Sequence, residues 1–181
     1  MKNQVRFEYR LKGSGSAEGS FALADKSFAF ELGNVSNPLA DLLNGLVGMI
    51  LEPSHIWGDD NAAWVEWYGR SSAWRWLLST SDGQHLHVTI NQSTDMFEDT
   101  ASRNVLEGEC LFDGFMVAVV AELDALIKHT GLLNYAQQWQ KDEFPLTNFL
   151  FLKKQLVDKG IWPQTSLPDE NLRLETNLLL L

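Results

Sequence analysis

A single cysteine, Cys110, leaves this 181-residue chain unable to form an internal disulfide. The opening Met-Lys-Asn-Gln-Val-Arg-Phe-Glu lacks the apolar run of a secretory signal. Together the two absences predict a reducing, cytoplasmic setting. No stretch approaches the roughly 20 continuous apolar residues of a membrane span, and the four leucines at 178–181 are too few to make one. Basic residues are scarce in the middle of the chain: between 27 and 127 only Arg70, Arg75 and Arg103 stand against fifteen Asp and Glu, a local charge of −12 within an overall −10. Such a field repels nucleic acid and anionic membranes and favours a cationic partner. Solubility alone is the plainer account of the same charge.

Catalytic signatures are missing too. Residues 13–19, Gly-Ser-Gly-Ser-Ala-Glu-Gly, fail the dinucleotide fingerprint because Glu18 stands at the third glycine and no helical pattern follows, so a hairpin loop is expected. No G-x-S-x-G elbow occurs. No solenoid-period repeat or linker between two apolar units is evident, which predicts one domain over 1–160 and a polar, Pro-containing tail over 161–181.

What is present is strand periodicity. Val5, Phe7, Tyr9 and Leu11 alternate with polar residues, and Phe21, Leu23, Phe28, Phe30 and Leu32 extend the pattern into a three-stranded meander. Residues 64–92 hold three aromatic runs broken by turn chemistry at 69–72 and 79–83, and 105–112 adds another strand. Asn37-Pro38 caps and starts an amphipathic helix over 38–51. Asp113 is placed to cap a second, apolar helix over 114–130, and Pro145 begins a third that Gly160 closes. Residues 132–144 read as a connection, and 93–104 as an exposed acidic loop. The expected class is α+β: an antiparallel sheet of six or seven strands with two or three helices on one face.

Each candidate site has a plain structural alternative. His85 and His87, two apart on a strand, share a face and form a weak metal pair, but no third ligand stands at matching spacing. Cys110 is a possible nucleophile, with core packing the usual fate of a free thiol. Asp59, Asp60 and Glu66 offer carboxylates for acid–base work, with nothing to show that they converge. If Trp67 joins Trp74 and Trp76 in the core, Trp64 and Tyr68 flank Glu66 on the other face. That face is either an aromatic binding surface or the seat of a further helix layer.

The Asn-Pro-started helix, Trp64 and Glu66, the Trp-Arg-Trp strand, the long helix, and Tyr135, Trp139, Phe144 and Pro145 together resemble small bacterial proteins of about this length. Some acidic proteins of that architecture are immunity proteins, and the resemblance implies neutralisation of a secreted toxin. No catalytic motif comes with it. The expectation is therefore a non-enzymatic module without cofactor that binds a basic protein such as a nuclease-like toxin. Its contacts would be Trp57, Asp59, Asp60, Trp64, Glu66, Asp95, Glu98 and Asp99. The alternatives are a metal-dependent hydrolase built on His85 and His87, and a structural protein that self-associates through its tryptophans.

Overall fold

Period-2 alternation builds the strands, but it builds two sheets. The computed structural model describes residues 5–94, 102–163 and 167–181. Strands β1 (Val5–Gly13), β2 (Ser16–Leu23) and β3 (Lys26–Gly33) form one antiparallel meander, and β4 (Asn61–Tyr68), β5 (Ala73–Thr80), β6 (His85–Ser93) and β7 (Ser102–Leu111) form a second. Helix α1 (Pro38–Leu51) and a 3₁₀ turn (Ser54–Trp57) separate them, and α2 (Phe112–Thr130), α3 (Leu132–Trp139), α4 (Leu146–Asp158) and α5 (Glu170–Leu178) follow. The α+β class and the seven strands agree with expectation, whereas the single sheet with two or three helices gives way to two sheets and five helices. The physical reason is tertiary: each meander has its own apolar face, and the two faces bury one another.

The aromatic contacts make that packing concrete. Phe21 meets Trp76 edge-on at 5.1 Å, Phe30 meets Trp67 at 5.0 Å, and the two tryptophan rings lie 4.7 Å apart. Such pairs contribute about 0.5–1.5 kcal/mol each beyond the area they bury. The Trp67 indole N–H also donates to the Pro38 carbonyl at 2.9 Å, tying the second sheet to the start of α1. Gly19, paired with Tyr9 on one side and Phe30 on the other, leaves room for this cluster. A Cβ there would stand 2.0 Å from the Glu8 carbonyl and 2.6 Å from the Phe30 ring.

The glycine-rich stretch is a hairpin, as expected. Ser14 and Gly15 both take positive φ, the geometry of a tight two-residue turn between β1 and β2. Asn37 caps α1 through its side-chain oxygen, which accepts from the Ala40 N–H at 3.2 Å. Asp113, by contrast, does not cap α2: the helix begins directly after β7 at Phe112, and Asp113 lies in its first turn, 2.5 Å from Lys159. The helix buries Phe115, Met116, Val119, Val120 and Leu123 in the shared core.

Two further helices stand where a connection and a tail were expected. Tyr135 and Trp139, one turn apart, bury the inner side of the eight-residue α3. The tail folds back as α5. Its Glu175 carboxylate accepts the N–H groups of Leu132 and Leu133 at 2.5 and 3.0 Å and so satisfies the start of α3, while Asn171 donates to the His129 carbonyl. Asp124, buried on α2, is held between Lys128 at 2.7 Å and Lys153 at 2.6 Å, with the Lys153 ammonium 4.8 Å from the centre of the Trp162 ring. Among the described residues, no helix is long and apolar enough to cross a membrane.

Candidate protein-interaction surface

Alternation along β4 decides where its side chains go. Asn61, Ala63, Val65 and Trp67 turn inward, and Ala62, Trp64, Glu66 and Tyr68 turn outward. The register continues the outward rows across the sheet: Trp64 lies beside Leu77, then Thr89, then Glu107, and Glu66 lies beside Arg75, then Asn91. No described helix covers this face. Trp64 is 65% exposed, a large apolar ring left in solvent on rigid backbone. Trp74 and Trp76 take the inner side with Trp67, so the four tryptophans of this region divide as the spacing predicts.

Glu66 is positioned from two sides. The Tyr68 hydroxyl donates to its Oε2 at 2.6 Å and the Arg75 Nε to its Oε1 at 2.9 Å. The bond to Glu66 is the main cause of the raised Tyr68 pKa, with partial burial and the carboxylate charge adding to it. The residues that surround Trp64 thus form a fixed array.

Between this face and α1 runs a groove of about 790 Å³. Asp41, Asn44, Gly45 and Gly48 line it from the helix, Glu52 from the helix end, and Ala62, Trp64, Glu66 and Tyr68 from the strand. Its lining holds three carboxylates and no lysine or arginine. Partial burial raises the Asp41 pKa first, the nearby Asp142 charge raises it further, and Lys141 works against both. Gly45 is what lets helix and strand approach: a Cβ there would sit 3.1 Å from that of Ala63.

Trp57, 82% exposed, ends the 3₁₀ turn, and Asp59 and Asp60 follow it, both exposed. Their loop leads directly into β4. Asp95, Glu98 and Asp99 lie outside the described residues. Asp41, Asn44 and Glu52 were not anticipated from sequence, although they recur on the polar side of α1, away from the Leu39, Leu42, Leu43 and Leu46 stripe.

His85 and His87 do share the outer face of β6, but each meets a carboxylate. His85 Nδ1 lies 2.6 Å from Asp82 Oδ2, and His87 Nε2 lies 3.5 Å from Glu107. The Asp82 side chain also accepts the N–H groups of Gln84 and His85 at 2.8 Å, so this histidine is part of the β5–β6 turn. Among the described residues no three His, Cys, Asp or Glu side chains gather to hold a metal ion. Cys110 is buried with its Sγ 3.8 Å from the Leu86 carbonyl, and burial, aided by the Glu109 charge, pushes its thiol up to about 12. Burial and the raised pKa both disfavour the thiolate that nucleophilic chemistry needs.

Comparison with protein-family models, with curated proteins and with solved structures found no match.

Proposed function

We propose that the chain is a non-enzymatic, acidic protein-binding module, most concretely an immunity-type inhibitor of a basic, nuclease-like toxin. The observation that carries this reading is Trp64, exposed on the uncovered face of the second sheet beside a groove lined by Asp41, Glu52 and Glu66 and by no basic side chain. A nucleic-acid-cleaving domain must present positive charge to phosphate. A surface with negative charge around a rigid aromatic ring meets such a domain quickly through electrostatic steering and holds it by desolvating the ring. Trp57, Asp59 and Asp60 extend the same chemistry along the loop before β4. Binding is favoured over metal-dependent hydrolysis because His85 is engaged by Asp82 within a turn.

The test is a pull-down with the full chain against the products of neighbouring reading frames, followed by titration at increasing salt. A basic partner is expected, bound with an association rate that falls steeply with ionic strength and with affinity lost in Trp64→Ala. Recovery of no basic partner overturns the reading. Concentration-dependent sizing separates it from self-association through the tryptophan face.

A further inference from the structure

The second sheet has an open edge, and the groove runs along it. β4 is the terminal strand, bonded to β5 alone. The Gly69 N–H donates to the Ser72 carbonyl at 2.8 Å, which places that pair in the hydrogen-bonded class, and bonded pairs alternate along an antiparallel ladder. Residues 61, 63, 65 and 67 therefore turn their backbone groups toward β5, and Ala62, Trp64 and Tyr68 turn theirs away from it. Among the described residues, nothing bonds to the outward backbone groups of Ala62 and Trp64.

The other edges differ. On β1 the Tyr9 N–H is taken by the Glu122 carboxylate at 3.0 Å. On β7 the Glu107 carbonyl is taken by the Lys26 ammonium at 2.8 Å. On β3 the Glu31 carbonyl lies so close to Gly69 that a Cβ there would stand 2.4 Å away. Exposed edges are templates for pairing with another chain, and proteins usually blunt them. The β4 edge carries no proline, bulge or lysine over its eight residues.

We infer that this edge accepts an extended, lysine- or arginine-bearing segment of a partner as an added strand, lying along β4 in the groove that α1 borders. The charge of the segment rests on the basic-partner reading above; the mode of binding is additional to it. Main-chain bonds to Ala62 and Trp64 supply affinity, and alternate side chains of the segment reach the outer face, where Trp64 and Tyr68, the latter held by Glu66, offer aromatic faces to a cation. Asp41 and Glu52 face the segment from the helix side. Gly48 keeps that side open: a Cβ built on it meets no atom within 4 Å.

The experiment uses the full chain and a short synthetic peptide of alternating lysine and threonine, its analogue with alternate backbone amides N-methylated, and a glutamate–threonine peptide. Calorimetry is expected to show binding of the lysine peptide, with at least about tenfold weaker binding of the methylated one, which keeps the charge and loses the main-chain donors. The acidic peptide should not bind. Gly48→Leu fills the groove with a better helix former and is expected to keep or raise the thermal midpoint while weakening the lysine peptide about tenfold or more. Equal binding of the parent and methylated peptides, equal binding to wild type and Gly48→Leu, or no binding of the lysine peptide overturns strand addition. The broader reading fails separately: a folded basic domain that loses affinity with Trp64→Ala but not with Gly48→Leu leaves it standing while this inference falls.

Discussion

Two clefts of similar order of size, one beside each sheet, show what the shared architecture leaves open. On the outer side of the first sheet a cleft of about 520 Å³ is lined by Glu8, Glu18 and Glu31 together with Arg10 and Arg70, so three carboxylates face two guanidinium groups. Beside the second sheet the groove of about 790 Å³ sets three carboxylates with no cation in its lining, next to an exposed indole. Both meanders obey the same inward rule, and their inner faces meet in one core. The outer faces carry no such constraint. Mixed charge on the first makes a solvated face with little net potential, while on the second Arg75 is paired with Glu66 and the groove lining beside the exposed ring stays acidic, a surface with a preference among partners.

The comparison breaks most severely if the shared core is opened. Trp67→Ala and Trp76→Ala each remove a fully buried indole from the junction of the sheets, and each is expected to cost about 3–5 kcal/mol. Trp67 should lie toward the upper end because the Pro38 carbonyl loses its donor as well. Urea unfolding measures this, and a loss below about 1 kcal/mol for either would mean that the sheets do not depend on that contact. Asp124→Ala comes next. It leaves Lys128 and Lys153 partly buried without their carboxylate, with an expected loss of about 3 kcal/mol and no change in partner binding.

Outer-face substitutions sharpen the comparison instead. Trp64→Ala should change stability by no more than about 0.5 kcal/mol, yet weaken a basic partner by about 2 kcal/mol or more. The matching change on the first sheet, Glu18→Ala, removes one half of an exposed pair with Lys12 and should alter neither quantity beyond a few tenths of a kcal/mol. If Glu18→Ala weakens the partner as much as Trp64→Ala does, the binding surface has been placed on the wrong sheet.

How much of this was visible in the residues follows from the range of each signal. The two faces of β4 and β5 are a local, period-2 property, so Trp64 could be set opposite Trp67, and Trp74 on one side with Trp76, while which side joins the core stayed conditional. Asn37 and Pro38 announced α1 by chemistry confined to its first turn. Which meander pairs with which is a tertiary matter that no local pattern encodes, and two facing sheets were therefore read as one. Helix α3 was missed because only Tyr135 and Trp139 mark its buried side. Helix α5 was missed because it has no buried stripe and is tied down through Glu175. The groove was out of reach for a related reason: Asp41 and Glu52 read as ordinary solvated positions until α1 is laid beside the β4 edge.

The smallest expected effect concerns the histidine that the metal reading relied on. Asp82 has its pKa lowered mainly by the side-chain bond to His85 and then by the backbone N–H groups of His85 and Gln84, while the His85 pKa is raised mainly by the bond to Asp82. For the raised histidine, the contribution to stability is fully present below its unfolded value of about 6.5 and is lost as pH rises through the folded one. For the depressed carboxylate, it is present above the unfolded value of about 3.9 and is lost as pH falls toward the folded one. Both groups are solvent-exposed, so the effect on unfolding should be slight. NMR titration of the His85 ring in wild type and Asp82→Asn reads it directly: the midpoint should fall in the variant, and so should the small excess of stability seen on the acid side of neutrality. A His85 midpoint that stays put in Asp82→Asn but moves on addition of zinc would reverse the assignment, making the pair on β6 a metal ligand set instead of part of a turn.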